Sequence, residues 1–115
     1  MVDDSETIRN QVCGALAGAG FAVLEAADGV EGQARIAEHP DTAVVILDIN
    51  MPRMGGLEML ESLKTNPKVA LPAVLVLTTE AQQSLISRAR AAGAKGWVIK
   101  PVNMDRLVDA VKKIA

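Results

Sequence analysis

"VVILDINMPRMGGLEML", residues 44–60, passes from an unbroken apolar run to an acid, then through a connection holding Pro52 into a segment with apolar residues at helical spacing. Residues 43–47 are short, continuous and rich in β-branched side chains, which suits a strand buried on both faces. Leu57, Leu60 and Leu63 then recur on one face of a helix. The same alternation runs outward in both directions. Apolar runs recur at 21–24, 73–77 and 97–99, and between them Ile8, Val12 and Leu16, then Val30, Ala34 and Ala37, repeat at helical spacing. Met104, Leu107, Val108 and Val111 form the last stripe. Gly20 and Gly93 stand where helices should stop, and Pro40, Pro52, Pro67, Pro72 and Pro101 all fall in connections. Strands alternating with helices imply parallel pairing through right-handed crossovers, hence an open α/β sheet with helices on both faces.

Composition bounds the rest. The chain has 115 residues, half of them hydrophobic, enough for one compact domain with a core, and a single domain over 1–115 is expected. No apolar run approaches the ~20 residues that span a bilayer, and the start lacks the pattern of a secretory signal, so a cytoplasmic location without membrane contact is expected. Cys13 is the single cysteine, which excludes an internal disulfide and a zinc-type cluster. A net charge of −2 with interspersed signs offers no basic footprint for nucleic acid, and one Phe and one Trp leave few rings for stacking on bases.

In open α/β sheets, sites form beyond the carboxyl ends of the strands. The residues just past each apolar run are Asp3 and Asp4 after Val2, Asp48 after Leu47, Thr78 and Thr79 after Leu77, and Lys100 and Pro101 after Ile99. Glu25 also ends a run, but on an edge strand, and receives no site role. Three crowded carboxylates repel one another unless a cation offsets them, and a hard divalent ion such as Mg²⁺ takes oxygen ligands of this kind. A lysine opposite them can pair with the acids at rest and hold an anion when one arrives. With a hydroxyl added, the set suits phosphoryl transfer, and a carboxylate can itself accept a phosphoryl group, which makes Asp48 the candidate nucleophile. Each residue alone has a plainer reading. Asp4 or Ser5 can cap the first helix, Asp48 can open a turn, and Lys100 can be a surface lysine. Cys13 suits packing, and His39 and Lys112-Lys113 suit helix C-termini.

Four stretches, "VDDS" at 2–5, "LDINMPRMGGLE" at 47–58, "VLTTEA" at 76–81 and "AAGAKGWVIKP" at 91–101, together resemble the receiver domain of two-component response regulators of the chemotaxis type. The resemblance implies a flavodoxin-like, doubly wound, five-stranded parallel sheet of order 2-1-3-4-5. It implies that Asp48 accepts a phosphoryl group from a histidine kinase or phosphotransfer protein. Mg²⁺ would be held by Asp3, Asp4, Asp48 and the backbone carbonyl of Asn50. Lys100 would contact the phosphoryl oxygens, with a cis bond to Pro101. Thr78 would be the switch hydroxyl, coupled to Trp97, where the family usually has Tyr or Phe. Asn50 and Glu80 occupy positions that tune hydrolysis of the acyl phosphate, and their pairing implies a short-lived phosphorylated state. Signalling would pass through the fourth helix, fifth strand and fifth helix, near residues 81–114, to a downstream protein target or effector domain.

One departure stands out. The family's acidic pair follows a central strand of several apolar residues, and here only Met1 and Val2 precede it. That predicts a slot in the core with unpaired neighbours; a sequence that starts late relative to the whole protein, a truncated or misplaced start, or a strand swapped in from a second chain would each account for it. Two other functions are compatible with the residues. One is a phosphorylation-independent interaction module on the same fold, and the other a small phosphohydrolase with an Asp nucleophile. Against the hydrolase, Asn50 stands where such enzymes place a second acid.

Overall fold

A computed structural model describes residues 1–49, 56–65, 72–78 and 83–115. Three parallel strands, β1 (Val44–Asp48), β2 (Ala73–Thr78) and β3 (Ala94–Ile99), lie in the order β1-β2-β3. Among the described residues, five helices accompany them: α1 (Glu6–Gly18), α2 (Gly29–Glu38), α3 (Gly56–Thr65), α4 (Gln83–Ala91) and α5 (Met104–Ile114). β1 and β2 are almost wholly buried, as their uninterrupted apolar sequences require, whereas the edge strand β3 is half exposed. That exposure explains why β3 starts three residues before its apolar run. An edge strand tolerates Lys95 and Gly96, which periodicity alone would leave in a loop.

The sheet continues beyond β1 as single bridges. Val2 bridges Leu47 on one side and Ala26 on the other, both in parallel sense. Its N–H donates to Ile46 (2.8 Å) and its carbonyl accepts from Asp48 (2.9 Å), while Asp3 N–H reaches Ala26 at 3.1 Å. Residues 1–3 therefore occupy the central place between 24–26 and β1, as the order 2-1-3-4-5 demands. The expected strand at 21–24 does not form. A strand is a ladder, and here only Ala26, just past this run, has a bridge, to Val2.

Two apolar clusters flank the sheet. Val12, Leu16, Leu107 and Val111 of α1 and α5 pack on Ile46, Leu75 and Leu77. Ile36, Leu57, Met59, Leu60 and Ala89 of α2, α3 and α4 pack on Val45, Leu47, Val74 and Val76. Alternate residues of each strand thus serve opposite faces, and the fold is doubly wound. The buried stripe of α2 differs from the one expected. Gly32 and Ile36 face the core, whereas Val30 is 46% exposed and Ala34 and Ala37 are exposed. A Cβ on Gly32 would meet Met59 Sδ at 2.9 Å and Val2 Cγ2 at 3.1 Å, so the helix turns its glycine inward to approach the sheet. Gly20 and Gly93 take positive φ (96° and 104°) after α1 and α4, the left-handed stop that their positions suggest. Among the described residues, no helix is long and apolar enough to cross a membrane.

Candidate functional site

Asp3, Asp4 and Asp48 meet at the carboxyl edge of the sheet because Val2 and Leu47 are bridge partners, which sets the two segments that follow side by side. One carboxylate oxygen from each of the three lies within 4.8 Å of the others. Asp3 is fully buried and Asp48 is 2% exposed, while Asp4 faces solvent. Two buried carboxylates and a third at the surface, with oxygen donors only, could hold a hard divalent cation.

Lys100 follows β3 and reaches back over this group. Its Nζ donates to Asp3 Oδ2 and to Asp48 Oδ2, each at 3.2 Å. Burial disfavours the Lys100 ammonium, but the charges of Asp48 and Asp3 and its hydrogen bonds to both outweigh that, so its pKa stands above the ordinary lysine value. The Lys100–Pro101 peptide bond is cis, as the resemblance implied, and Lys100 N–H donates to Thr78 O at 2.8 Å, tying the end of β3 to the end of β2. Thr78 is buried at 2% exposure, one residue beyond the Asp48↔Leu77 pair.

Capping and a second cation fix the first acidic segment. Asp3 Oδ1 accepts from Ser5 N–H (2.9 Å), and Ser5 caps α1 by accepting from Ile8 N–H (3.3 Å). Arg9, one turn on, donates to the Asp3 carbonyl at 2.7 Å and to Glu25 at 3.3 Å. Sequence reading assigns a role to neither Arg9 nor Gly56. A Cβ at Gly56 would lie 2.2 Å from the Asp48 carbonyl oxygen and 2.7 Å from Ile49 Cα, so α3 begins directly against the backbone of the candidate nucleophile. The available signal for Arg9 is its place four residues after the cap, facing the acids. Glu25 pairs with Arg9 outside the acidic group, consistent with its having no site role.

Trp97 lies on β3, half-buried against the α2/α3/α4 cluster, with the Arg90 guanidinium 4.7 Å from its ring centroid. Ile99, two residues on, is 46% exposed. Asn50, Glu80 and Thr79 lie outside the described residues. Cys13 is half-buried on α1, and His39 forms the C-cap of α2, the terminal role expected of it.

Comparisons with known proteins agree with this arrangement. The family model of the response regulator receiver domain matches residues 1–112. A probable chemotaxis protein CheY of Rhizobium etli is 33% identical over 115 residues, covering 99% of this chain and 88% of that protein. CheY1 of Helicobacter pylori is also 33% identical, with 93% of its length covered. The crystal structure of Vibrio cholerae chemotaxis protein CheY4 superposes with a TM-score of 0.90 at 36% identity, covering 99% of this chain and 94% of that one. CheY in a CheX–CheY–BeF₃–Mg complex from Borrelia burgdorferi gives 0.89 at 28% identity, over 98% and 84% of the two chains. An acidic group beside a lysine at the carboxyl edge of a doubly wound sheet, matched along nearly its whole length, makes this chain a member of the response regulator receiver domain family, of the chemotaxis CheY type.

Proposed function

We propose that Asp48 is the phosphoacceptor of this receiver domain, taking its phosphoryl group from a phosphohistidine on a histidine kinase or phosphotransfer protein. The observation that carries this reading is the double hydrogen bond of Lys100 to Asp3 and Asp48 inside a three-carboxylate group. An Asp48 oxygen attacks phosphorus, the phosphorus–nitrogen bond breaks, and its electron pair leaves with the imidazole. Asp3, Asp4 and Asp48, with the Asn50 carbonyl, are the residues that would hold Mg²⁺. When bound, the ion supplies the positive charge that lets phosphoryl oxygens approach an acidic site.

Lys100 exchanges a carboxylate partner for a phosphoryl oxygen, an anion it is already placed to meet. The Thr78 hydroxyl donates to another. Water later attacks the acyl phosphate and returns Asp48, at a rate tuned by Asn50 and Glu80, so the domain turns over only its own phosphate. The single domain 1–115 acts in the cytoplasm and signals through α4, β3 and α5 to a protein target, as the Borrelia relative meets CheX. Half-exposed β3, with Ile99 outward and Trp97 under Arg90, supports that choice of face.

Borohydride trapping tests the assignment. After exposure to an acyl-phosphate donor and Mg²⁺, reduction converts an aspartyl phosphate to homoserine, and peptide mapping should find it at position 48 alone. Label at another aspartate, or steady turnover of phosphomonoesters without a trapped residue, would replace this reading with that of a phosphohydrolase or an inert module.

A further inference from the structure

Every polar atom of Asp3 is engaged. Its N–H donates to Ala26 O at 3.1 Å, its Oδ1 accepts from Ser5 N–H at 2.9 Å, its Oδ2 accepts from Lys100 Nζ at 3.2 Å, and its carbonyl accepts from Arg9 Nη1 at 2.7 Å. Asp4, the next residue, is held differently. Its carboxylate is the exposed member of the acidic group, and among the described residues no hydrogen bond or ion pair reaches it, since Lys100 pairs with Asp3 and Asp48 instead. Its direction is set by the backbone from which it stands.

The Asp3 carbonyl belongs to the peptide that joins the two acids. A peptide unit is planar, so fixing its C=O also places Asp4 N and Asp4 Cα. Arg9 is well anchored to do this. Its own N–H donates to Ser5 O at 3.0 Å in the first turn of α1, and its Nε donates to Glu25 at 3.3 Å. Ser5 N–H holds Asp3 Oδ1 in turn, so Asp3, Ser5 and Arg9 close a ring of hydrogen bonds with Asp4 between them in the chain. The Arg9 side chain is only 16% exposed. Its planar fork meets the carbonyl and the carboxylate together, which a single ammonium does with more loss of freedom.

We infer that Arg9 is a positioning residue for the cation: it locks the Asp3–Asp4 peptide so that the Asp4 carboxylate is presented beside those of Asp3 and Asp48, and it thereby sets the affinity for Mg²⁺. The inference rests on the Mg²⁺ site proposed above. Positioning and plain charge are separable here. Glu25 already pairs with the guanidinium, and the bond to the acidic segment runs to a carbonyl rather than to a carboxylate. A positive charge so close to the acids opposes a second cation, so a guanidinium acting by its field alone would weaken Mg²⁺ binding, and its removal would tighten it. Positioning has the opposite sign. Groups that orient metal ligands from outside are typically worth about 10–100-fold in affinity. The loss should fall on Asp4, because Asp3 keeps its bonds to Ala26, Ser5 and Lys100 when Arg9 is gone.

Mg²⁺ titrations of the 115-residue chain, followed by backbone amide ¹H–¹⁵N shifts, test this, and the same spectra show that each variant is folded. Arg9→Met should weaken Mg²⁺ binding roughly tenfold. Arg9→Lys keeps the charge but not the fork, and should weaken it about threefold or more. In an Asp4→Ala background, which has no carboxylate left to present, Arg9→Met should change the affinity by less than about twofold. The inference is overturned if Arg9→Met binds Mg²⁺ as tightly as the parent or more tightly, if Arg9→Lys matches the parent, or if Arg9→Met costs as much without the Asp4 carboxylate as with it. A parent that binds Mg²⁺ and gains a phosphoryl group at Asp48, matched in affinity by Arg9→Met, contradicts this inference alone. A parent that binds no Mg²⁺ overturns the proposed metal site and the inference with it.

Discussion

Replacing Lys100 with Met should destabilise the protein by about 2–4 kcal/mol and make its stability more responsive to Mg²⁺ than that of the parent. Each Nζ–Oδ2 contact is 3.2 Å, so at an effective dielectric of about 20 each attraction is roughly 5 kcal/mol before desolvation. Burying the ammonium offsets much of that, and a lysine side chain still 18% exposed is partly screened. The substitution keeps the apolar stem but leaves Asp3 and Asp48 buried without their cation, which is the costly case. With a urea slope of about 1.5 kcal/mol per M, the midpoint falls by roughly 1–3 M. Mg²⁺ should then recover more stability in the variant than it adds to the parent, since the same three carboxylates would regain a neutralising charge in place of Lys100. The folded-state pKa of Lys100 is raised, so its contribution is complete below about pH 10.4 and is lost only as pH rises through the folded value. The difference between parent and variant arising from this lysine should therefore stay level between about pH 6 and 9. An unchanged midpoint, or equal Mg²⁺ increments in both proteins, would refute the claim that Lys100 neutralises this group.

Three further outcomes follow from the packing. Gly56→Ala should cost about 1–3 kcal/mol in chemical denaturation and slow phosphorylation of Asp48, because the added Cβ meets the Asp48 backbone at 2.2 Å; a variant matching the parent in both would mean that α3 can retreat freely. The Met1 amine has its pKa lowered by burial, so the folded form binds that proton less readily than the unfolded form and stability should rise as pH climbs from the folded value to about 8. N-terminal acetylation should remove this rise, and a rise that survives it belongs to other groups. Arg90→Ala should release the Trp97 ring at a cost of about 0.5–1 kcal/mol and shift its fluorescence, Trp97 being the only tryptophan; an unaltered spectrum would show that the stacked guanidinium does not set its surroundings.

Residues 44–47 and 73–77 announce their strands because strands buried on both faces need apolar side chains at every position. The acids and the lysine are legible for a related reason: in an open parallel sheet, strand ends converge, so residues dozens of positions apart can be assigned to one edge from sequence order. Legibility ends where structure depends on a neighbour rather than on the segment itself. Residues 21–24 have strand composition, but only Ala26 finds a bridge partner, Val2. Val30, Ala34 and Ala37 have helical spacing, but the buried face of α2 is chosen by Gly32, whose missing side chain admits Met59 and Val2. Arg9 and Gly56 act through a carbonyl and a backbone approach, neither of which leaves a pattern in residue type. The cis bond at Pro101 is an expectation only through the family resemblance.

The most direct measurement is intact mass before and after incubation with a small acyl-phosphate donor and Mg²⁺, with Asp48→Asn as the control. The account predicts a single added phosphoryl group, absent with a chelator and absent in the control. A folded protein that gains no mass, or an Asp48→Asn control that gains as much as the parent, would contradict it.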